Sequence, residues 1–242
     1  MNPQNRLRSC SVKKLRLSRI ARHINYFTFF TLSLFHYICY NPAEQKRKIT
    51  KHEIIILLGI QGSGKGYLGG ELRKIHNFLF IETGSIFRGL DKNNPSDRDA
   101  IKEMESGRLV SDEKTCAVVA ARLKDDMDIL TDGFPRSIPQ AEWFLKWAEQ
   151  NNFDVKVAML NIPDEMVFER INNRVVVDGS RRPDDLDTES IKKRIAQYHE
   201  KTEPMIEFLR KHPGIEFFDI DGTRTRDEVF LDTASKLGLD AA

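Results

Sequence analysis

The sequence predicts a three-layer α/β/α fold, a five-stranded parallel sheet covered by helices on both faces. Two observations carry that prediction. Five short apolar runs recur between residues 53 and 220, and each is followed by a segment with helical spacing of its apolar residues. The first run, "EIIILLG" (53–59), is apolar without alternation. A strand buried on one face alternates, whereas a strand covered on both faces reads as a continuous run. Strands that alternate with helices pair in parallel, because each return to the same end of the sheet needs a crossover.

The elements follow in order. After the strand at 53–59, residues 64–76 read as a helix, and "FLFIE" (78–82) as the second strand. Two helical stretches follow, near 97–107 and 112–126. "DILTD" (128–132) is the third strand, with a helix over 138–150. "VKVAMLN" (155–161) is the fourth, and the helix at 163–174 after it opens on Pro163, which suits a first helical turn. Residues 175–186 combine turn formers with charge, a long helix is expected over about 187–211, and "IEFFDI" (215–220) is the fifth strand. "RDEVFLDTASKL" (226–237) closes the fold as a helix. No internal repeat is evident.

The chain of 242 residues is long enough for one domain and an appendage. Its net charge of +2 conceals an asymmetry. Residues 1–51 hold eleven Lys and Arg against Glu44 alone, which leaves 27 basic and 35 acidic residues in the remainder. That remainder has no general attraction for nucleic acid, so an anion site within it must be local. Cys10, Cys39 and Cys116 are odd in number and widely spaced, which indicates isolated thiols and neither a disulfide framework nor a zinc site.

Residues 1–51 form a basic and apolar extension. Its run "INYFTFFTLSLFHYICY" (24–40) carries no Asp, Glu, Lys or Arg. It is compatible with a leader, an organelle-targeting segment, a short membrane anchor or a start site set too far upstream. Membrane contact is not the favoured expectation. The extension is expected to be irrelevant to catalysis and the remainder, 52–242, to be cytoplasmic, with organelle targeting or anchoring as the alternative.

"GIQGSGKGYL" (59–68) has the G-x-x-x-x-G-K spacing of a phosphate-binding loop at a strand-to-helix junction. Backbone N–H groups in such a loop, with the helix N-terminus behind them, attract phosphate. Gly62, Ser63, Gly64, Lys65 and Gly66 are therefore candidate nucleotide ligands, and Lys65 is the candidate for the transferring phosphoryl group. Glycine after the lysine removes the hydroxyl that commonly ligates magnesium. The metal is then expected to be held by nucleotide and water, with no direct protein ligand and with Asp132 ordering the waters.

"GIQGSGKG", "ETGSIFRG", "SGRLVSDE", "LTDGFPRSIPQAE" and "YHEKTEPMI" occur in the order of the signatures of adenylate kinases and related nucleoside monophosphate kinases. The resemblance covers about 53–238. It implies a P-loop NTPase-type fold, an acceptor-binding insert at about 82–112 and a short lid at about 174–185, with ATP as donor and Mg²⁺ as cofactor. It also explains Gly66, because glycine normally follows the lysine in that family. Tyr67 departs from the usual Thr, and is expected to weaken donor contacts.

The same resemblance assigns the remaining candidates. Arg88 and Arg136 would hold the acceptor phosphate, for which a guanidinium can make two parallel hydrogen bonds. In isolation each would read as a surface ion-pair residue. Thr83 and Gln140 match positions that contact the acceptor adenine, Arg108 and Val110 match positions that hold AMP through backbone, and Gly133 would leave room for the base. Ser85 stands where the family usually has Asp. Arg170 and Arg174 lie four apart on one helical face, and with Arg182 and Arg194 they resemble arginines that close on the phosphates, Arg181 competing with Arg182. Thr223 and Arg224 match the loop at the donor adenine. The expected activity is ATP + AMP ⇌ 2 ADP, and the resemblance implies a monomer. The alternatives are a UMP/CMP or other monophosphate kinase and a nucleotide-binding module with little turnover.

Overall fold

A computed structural model describes residues 51–105, 110–173 and 188–240. Five strands are present among them: β1 (Glu53–Leu58), β2 (Leu79–Glu82), β3 (Ile129–Asp132), β4 (Asp154–Asn161) and β5 (Ile215–Asp221). They pair in the order β2-β3-β1-β4-β5, every pair parallel.

β1 is central, and its residues 54–58 are all buried. Its side chains alternate between two cores. Ile54, Ile56 and Leu58 face a cluster that includes Phe134, Phe144, Met205 and Leu209. Ile55 and Leu57 face another that includes Leu68, Leu72, Val229 and Leu237. The helices supplying these contacts are α1 (Lys65–Ile75), α5 (Ile138–Gln150), α8 (Glu203–Lys211) and α9 (Arg226–Leu237). A third, smaller cluster joins Ile60 of the loop after β1 to Val167 and Ile171 of α6 (Asp164–Asn172) and Ile191 of α7 (Thr188–Gln197). That cluster seats the glycine loop against the two helices flanking residues 174–187.

The parallel register aligns the C-terminal ends of the strands. Leu57 lies opposite Asp132 and Ala158, Glu82 opposite Asp132, and Asn161 opposite Asp221. The chain leaves β1 toward β2 on one side and β4 toward β5 on the other. At such a reversal of strand order, ligands of open α/β sheets bind in a crevice outside the carboxyl edge.

Three helices follow β2: α2 (Thr83–Arg88), α3 (Pro95–Glu105) and α4 (Asp112–Ala120). α2 is absent from the sequence expectation, because six residues with an internal glycine carry no periodicity. α3 starts two residues early, on a proline suited to a first helical position. The helix expected over 112–126 ends at Ala120. There the backbone tightens, with the Arg122 amide bonded to the Val119 carbonyl and the Leu123 amide shared between Val119 and Ala120. The long helix expected over 187–211 is interrupted by a π-helical turn, Tyr198–Thr202. Pro204 accounts for the break: it has no N–H to give, and its ring crowds the carbonyl of the preceding turn.

Candidate active site

The glycine loop runs from β1 into α1. Gly59 has φ 142°, and a Cβ there would lie 2.6 Å from the Leu160 carbonyl oxygen, so β4 admits only glycine at this point. Gly64 caps α1 in the left-handed region at φ 104°. Lys65 arches back over the loop: its Nζ donates to the carbonyl oxygens of Gly59 (2.6 Å) and Ile60 (2.9 Å) and lies 3.3 Å from Ser63 Oγ. The first turn of α1 holds no acidic residue, which preserves its positive potential. Gly66 lies beside Asp132, whose Oδ2 would be 3.8 Å from a Cβ at that position.

Arg170, on α6, joins two loops. Its guanidinium donates to the carbonyl oxygens of Ser63 (3.4 Å) and Gly222 (2.8 Å). Gly222 follows β5 so closely that a Cβ would lie 2.8 Å from Ile162 Cγ2. The next turn is set by Asp221, which accepts from the Thr223 amide (3.0 Å) and hydroxyl (2.6 Å). Those bonds, the hydroxyl's first, lower the Asp221 pKa below the ordinary carboxylate value. Arg224 turns away to Asp232, at 2.6 Å. Tyr67 is exposed, and the guanidinium of Arg226 lies 4.9 Å from its ring centroid.

On the other side of the crevice, the carbonyl oxygen of Gly133 accepts from the Thr83 hydroxyl and from Arg136 Nε, both at 2.7 Å. A Cβ at Gly133 would lie 2.6 Å from Arg136 Nη2 and 2.9 Å from Thr83 Oγ1. What this glycine makes room for in the structure is the pair of side chains, Thr83 and Arg136. Gln140 Oε1 accepts from the Arg136 amide (2.8 Å), and its Nε2 donates to Asp112 Oδ1 (2.6 Å). Thr83, Gly133, Arg136 and Gln140 thus form one connected group. Arg136 lies open at the crevice surface, yet the surrounding walls displace enough water to lower its pKa. Asp132 opposes that shift and Arg194 adds to it, so β3, the turn after it and α7 converge electrostatically here.

Arg88 is not brought into that group. It folds over its own helix, 3.2 Å from Ser85 Oγ and 3.7 Å from Glu82 Oε1, while Ser85 donates to Glu82 at 2.7 Å. Val110 is half-buried just before α4. Arg108, Arg174, Arg181 and Arg182, the whole of the lid expected at 174–185, and the extension at 1–50 lie outside the described residues. Among the described residues, no group of three or more His, Cys, Asp and Glu could hold a metal ion, and no helix is long and apolar enough to cross a membrane.

Two participants escaped the sequence expectations, Asp112 and Arg226. Asp112 looked like an ordinary first-turn acid. Arg226 had a signal: a cation at the first position of a helix opposes the macrodipole and calls for a partner.

A family model described as "Adenylate kinase" matches residues 57–213. An adenylate kinase of Clostridium botulinum (strain Alaska E43 / Type E3) is 33% identical over 214 residues, covering 76% of this chain and 98% of the relative. One from Agathobacter rectalis is 32% identical, with 76% and 99% covered. One from Deinococcus radiodurans is 32% identical over 188 residues, with 75% and 94% covered.

Proposed function

The chain belongs to the adenylate kinase family of phosphotransferases, and from that premise we propose that it transfers the γ-phosphoryl group of Mg-ATP to AMP, giving two molecules of ADP. Residues 82–112 are then the acceptor insert, 174–185 the lid, and the crevice between the glycine loop and the Gly133 turn is where donor and acceptor phosphates meet.

The preference for AMP rests on one observation, the hydrogen bond from Thr83 to Gly133. Because the hydroxyl proton is committed to a carbonyl, the Thr83 oxygen can only accept from a ligand. The exocyclic amino group of adenine satisfies it, as would that of cytosine; the carbonyl of uracil or of the guanine six-position does not, so the bond favours AMP over UMP and GMP. Gln140 is held by Arg136 and Asp112, yet its amide retains one N–H and one lone pair for a base edge.

The chemistry is a direct displacement. An oxygen of the AMP phosphate attacks the γ-phosphorus, the bond to the β,γ-bridging oxygen breaks, and ADP leaves with that oxygen. The protein positions the two nucleotides and screens charge. Lys65 exchanges its loop carbonyls for phosphate oxygens, Arg170 reaches the same phosphates from α6, and Arg136 orients the acceptor. The backbone N–H groups entering α1 hold the β-phosphate. Arg174, Arg182 and Arg194 would complete the cage, with Arg88 swinging from Ser85 onto the acceptor phosphate.

The site suits magnesium carried in by the nucleotide. Asp132 is an oxygen donor beside Gly66, with space between them, and would hold the metal through water. When bound, the ion neutralises charge on the donor phosphates.

Thr83→Val tests the acceptor assignment, since it keeps the shape and deletes the hydroxyl. The ratio of kcat/KM for AMP over UMP should fall about tenfold, the scale of one lost hydrogen bond to a base. An unchanged ratio would remove Thr83 from base selection.

A further inference from the structure

Tyr67 and Arg226 stand at the two places where the donor half of the crevice is anchored. Tyr67 is in the first turn of α1, two residues past Lys65; Arg226 opens α9, directly after the turn built on Asp221, Thr223 and Thr225. Both residues are exposed, and the guanidinium carbon lies 4.9 Å from the ring centroid, inside the range at which a cation is drawn to an aromatic face. Local structure favours neither residue where it is. Tyr67 leaves 38% of its surface in solvent, and a cation at a helix N-terminus works against the macrodipole. Thr225 already caps α9 through a full capping box with Glu228, so Arg226 is not needed to start the helix.

We propose that the Tyr67–Arg226 stack is a positioning device for the donor nucleotide, fixing the distance between the phosphate loop and the loop that follows β5. Arg170 makes one tie between these loops, through Ser63 and Gly222. The stack makes a second tie on exposed side chains, where the donor nucleoside lies alongside it. The ring therefore takes over a task from the threonine usual at this position, and the departure that suggested weakened donor contacts is an adaptation. Tyr67→Thr, for which the sequence alone suggests raised turnover or tighter ATP binding, should weaken donor binding instead.

This inference rests on the kinase assignment for where the donor binds, and the experiment separates the two. Full-length wild type, Tyr67→Leu, Arg226→Met, the double variant and Tyr67→Phe are compared by steady-state kinetics with ATP and AMP varied in turn. Mg-ATP affinity is also measured directly by titration. Tyr67→Leu and Arg226→Met should each raise KM for ATP about two- to fivefold, the range of an exposed cation–π contact. KM for AMP should not move, the double variant should be no worse than the worse single, and Tyr67→Phe should restore the donor KM. A general loosening of the fold would raise both Michaelis constants. Additive effects in the double variant, equal rises in both constants, or no rise in either single variant would overturn the proposal. If wild type does not phosphorylate AMP, the kinase assignment fails by itself. The stack is then judged on Mg-ATP affinity alone, where a two- to fivefold loss supports it and an unchanged affinity overturns it.

Discussion

Arg170 donates to the carbonyl oxygen of Gly222 at 2.8 Å, across 52 residues of sequence, while the same guanidinium reaches Ser63 at 3.4 Å. One side chain thus couples the loop after β1 to the loop after β5. A guanidinium can do this because its donors are fixed in a planar fork, and donors remain for phosphate oxygens.

Arg170→Ala should therefore act on both binding and turnover. Its kcat/KM for ATP should fall about 10²–10³-fold, the cost of removing one preorganised charge-stabilising donor. Arg170→Lys should recover only part of this, since one ammonium cannot reproduce the fork. Steady-state kinetics of the two variants checks both statements; full activity in Arg170→Lys would show that charge alone suffices.

Asp97 is 1% exposed, and Arg122 Nη2 lies 3.1 and 2.9 Å from its two oxygens. Arg122 also donates to the Val118 carbonyl, and the Asp91 amide to Asp97, so the pair ties α3 to the end of α4. Burial pushes the Asp97 carboxyl up, but Arg122 and the Asp91 amide together outweigh it and the pKa ends below its ordinary value. Asp97→Ala should cost about 2–4 kcal/mol in denaturant unfolding, because it leaves a largely buried cation unpaired. The stabilisation from Asp97 ionisation should be complete above the unfolded carboxylate pKa of about 3.9 and be lost as pH falls through the depressed folded value.

His199 sits in the π turn, with Nε2 3.0 Å from Asp164 Oδ2 and Nδ1 2.9 Å from Glu203 Oε1. Only the imidazolium donates to both. The bond to Glu203 raises the His199 pKa, partial burial opposes the rise, and Asp164 adds to it. The contribution to stability is therefore fully present below the unfolded value of about 6.5 and disappears as pH rises through the raised folded pKa. Because all three groups are well exposed, its size should be at most about 0.5 kcal/mol. An NMR titration should place His199 above 6.5, and His199→Gln should flatten the corresponding part of the stability–pH curve.

The parts of the fold legible in the sequence were those where one physical demand dominates. β1 must be buried on both faces, so its apolar run had no other reading. The Gly59–Lys65 loop needs glycine at fixed positions, so its spacing was visible. Where two demands compete, the sequence was opaque. Pro204 sits in a segment whose apolar spacing continues through it, and the break at Tyr198–Thr202 shows only in space. Gly133 suggested room for a base, yet its neighbours are Thr83 and Arg136, drawn from distant parts of the chain. Tyr67 looked like a defect because its partner, Arg226, lies at the far end of the sequence.

The most direct measurement mixes the full-length protein with Mg-ATP and, separately, AMP, UMP, CMP and GMP, and follows diphosphate formation. ADP formation with AMP well above the other acceptors, and loss of that turnover in Lys65→Ala, is the predicted result. Faster turnover with another monophosphate, or ATP binding without turnover on any of the four, would contradict the assignment.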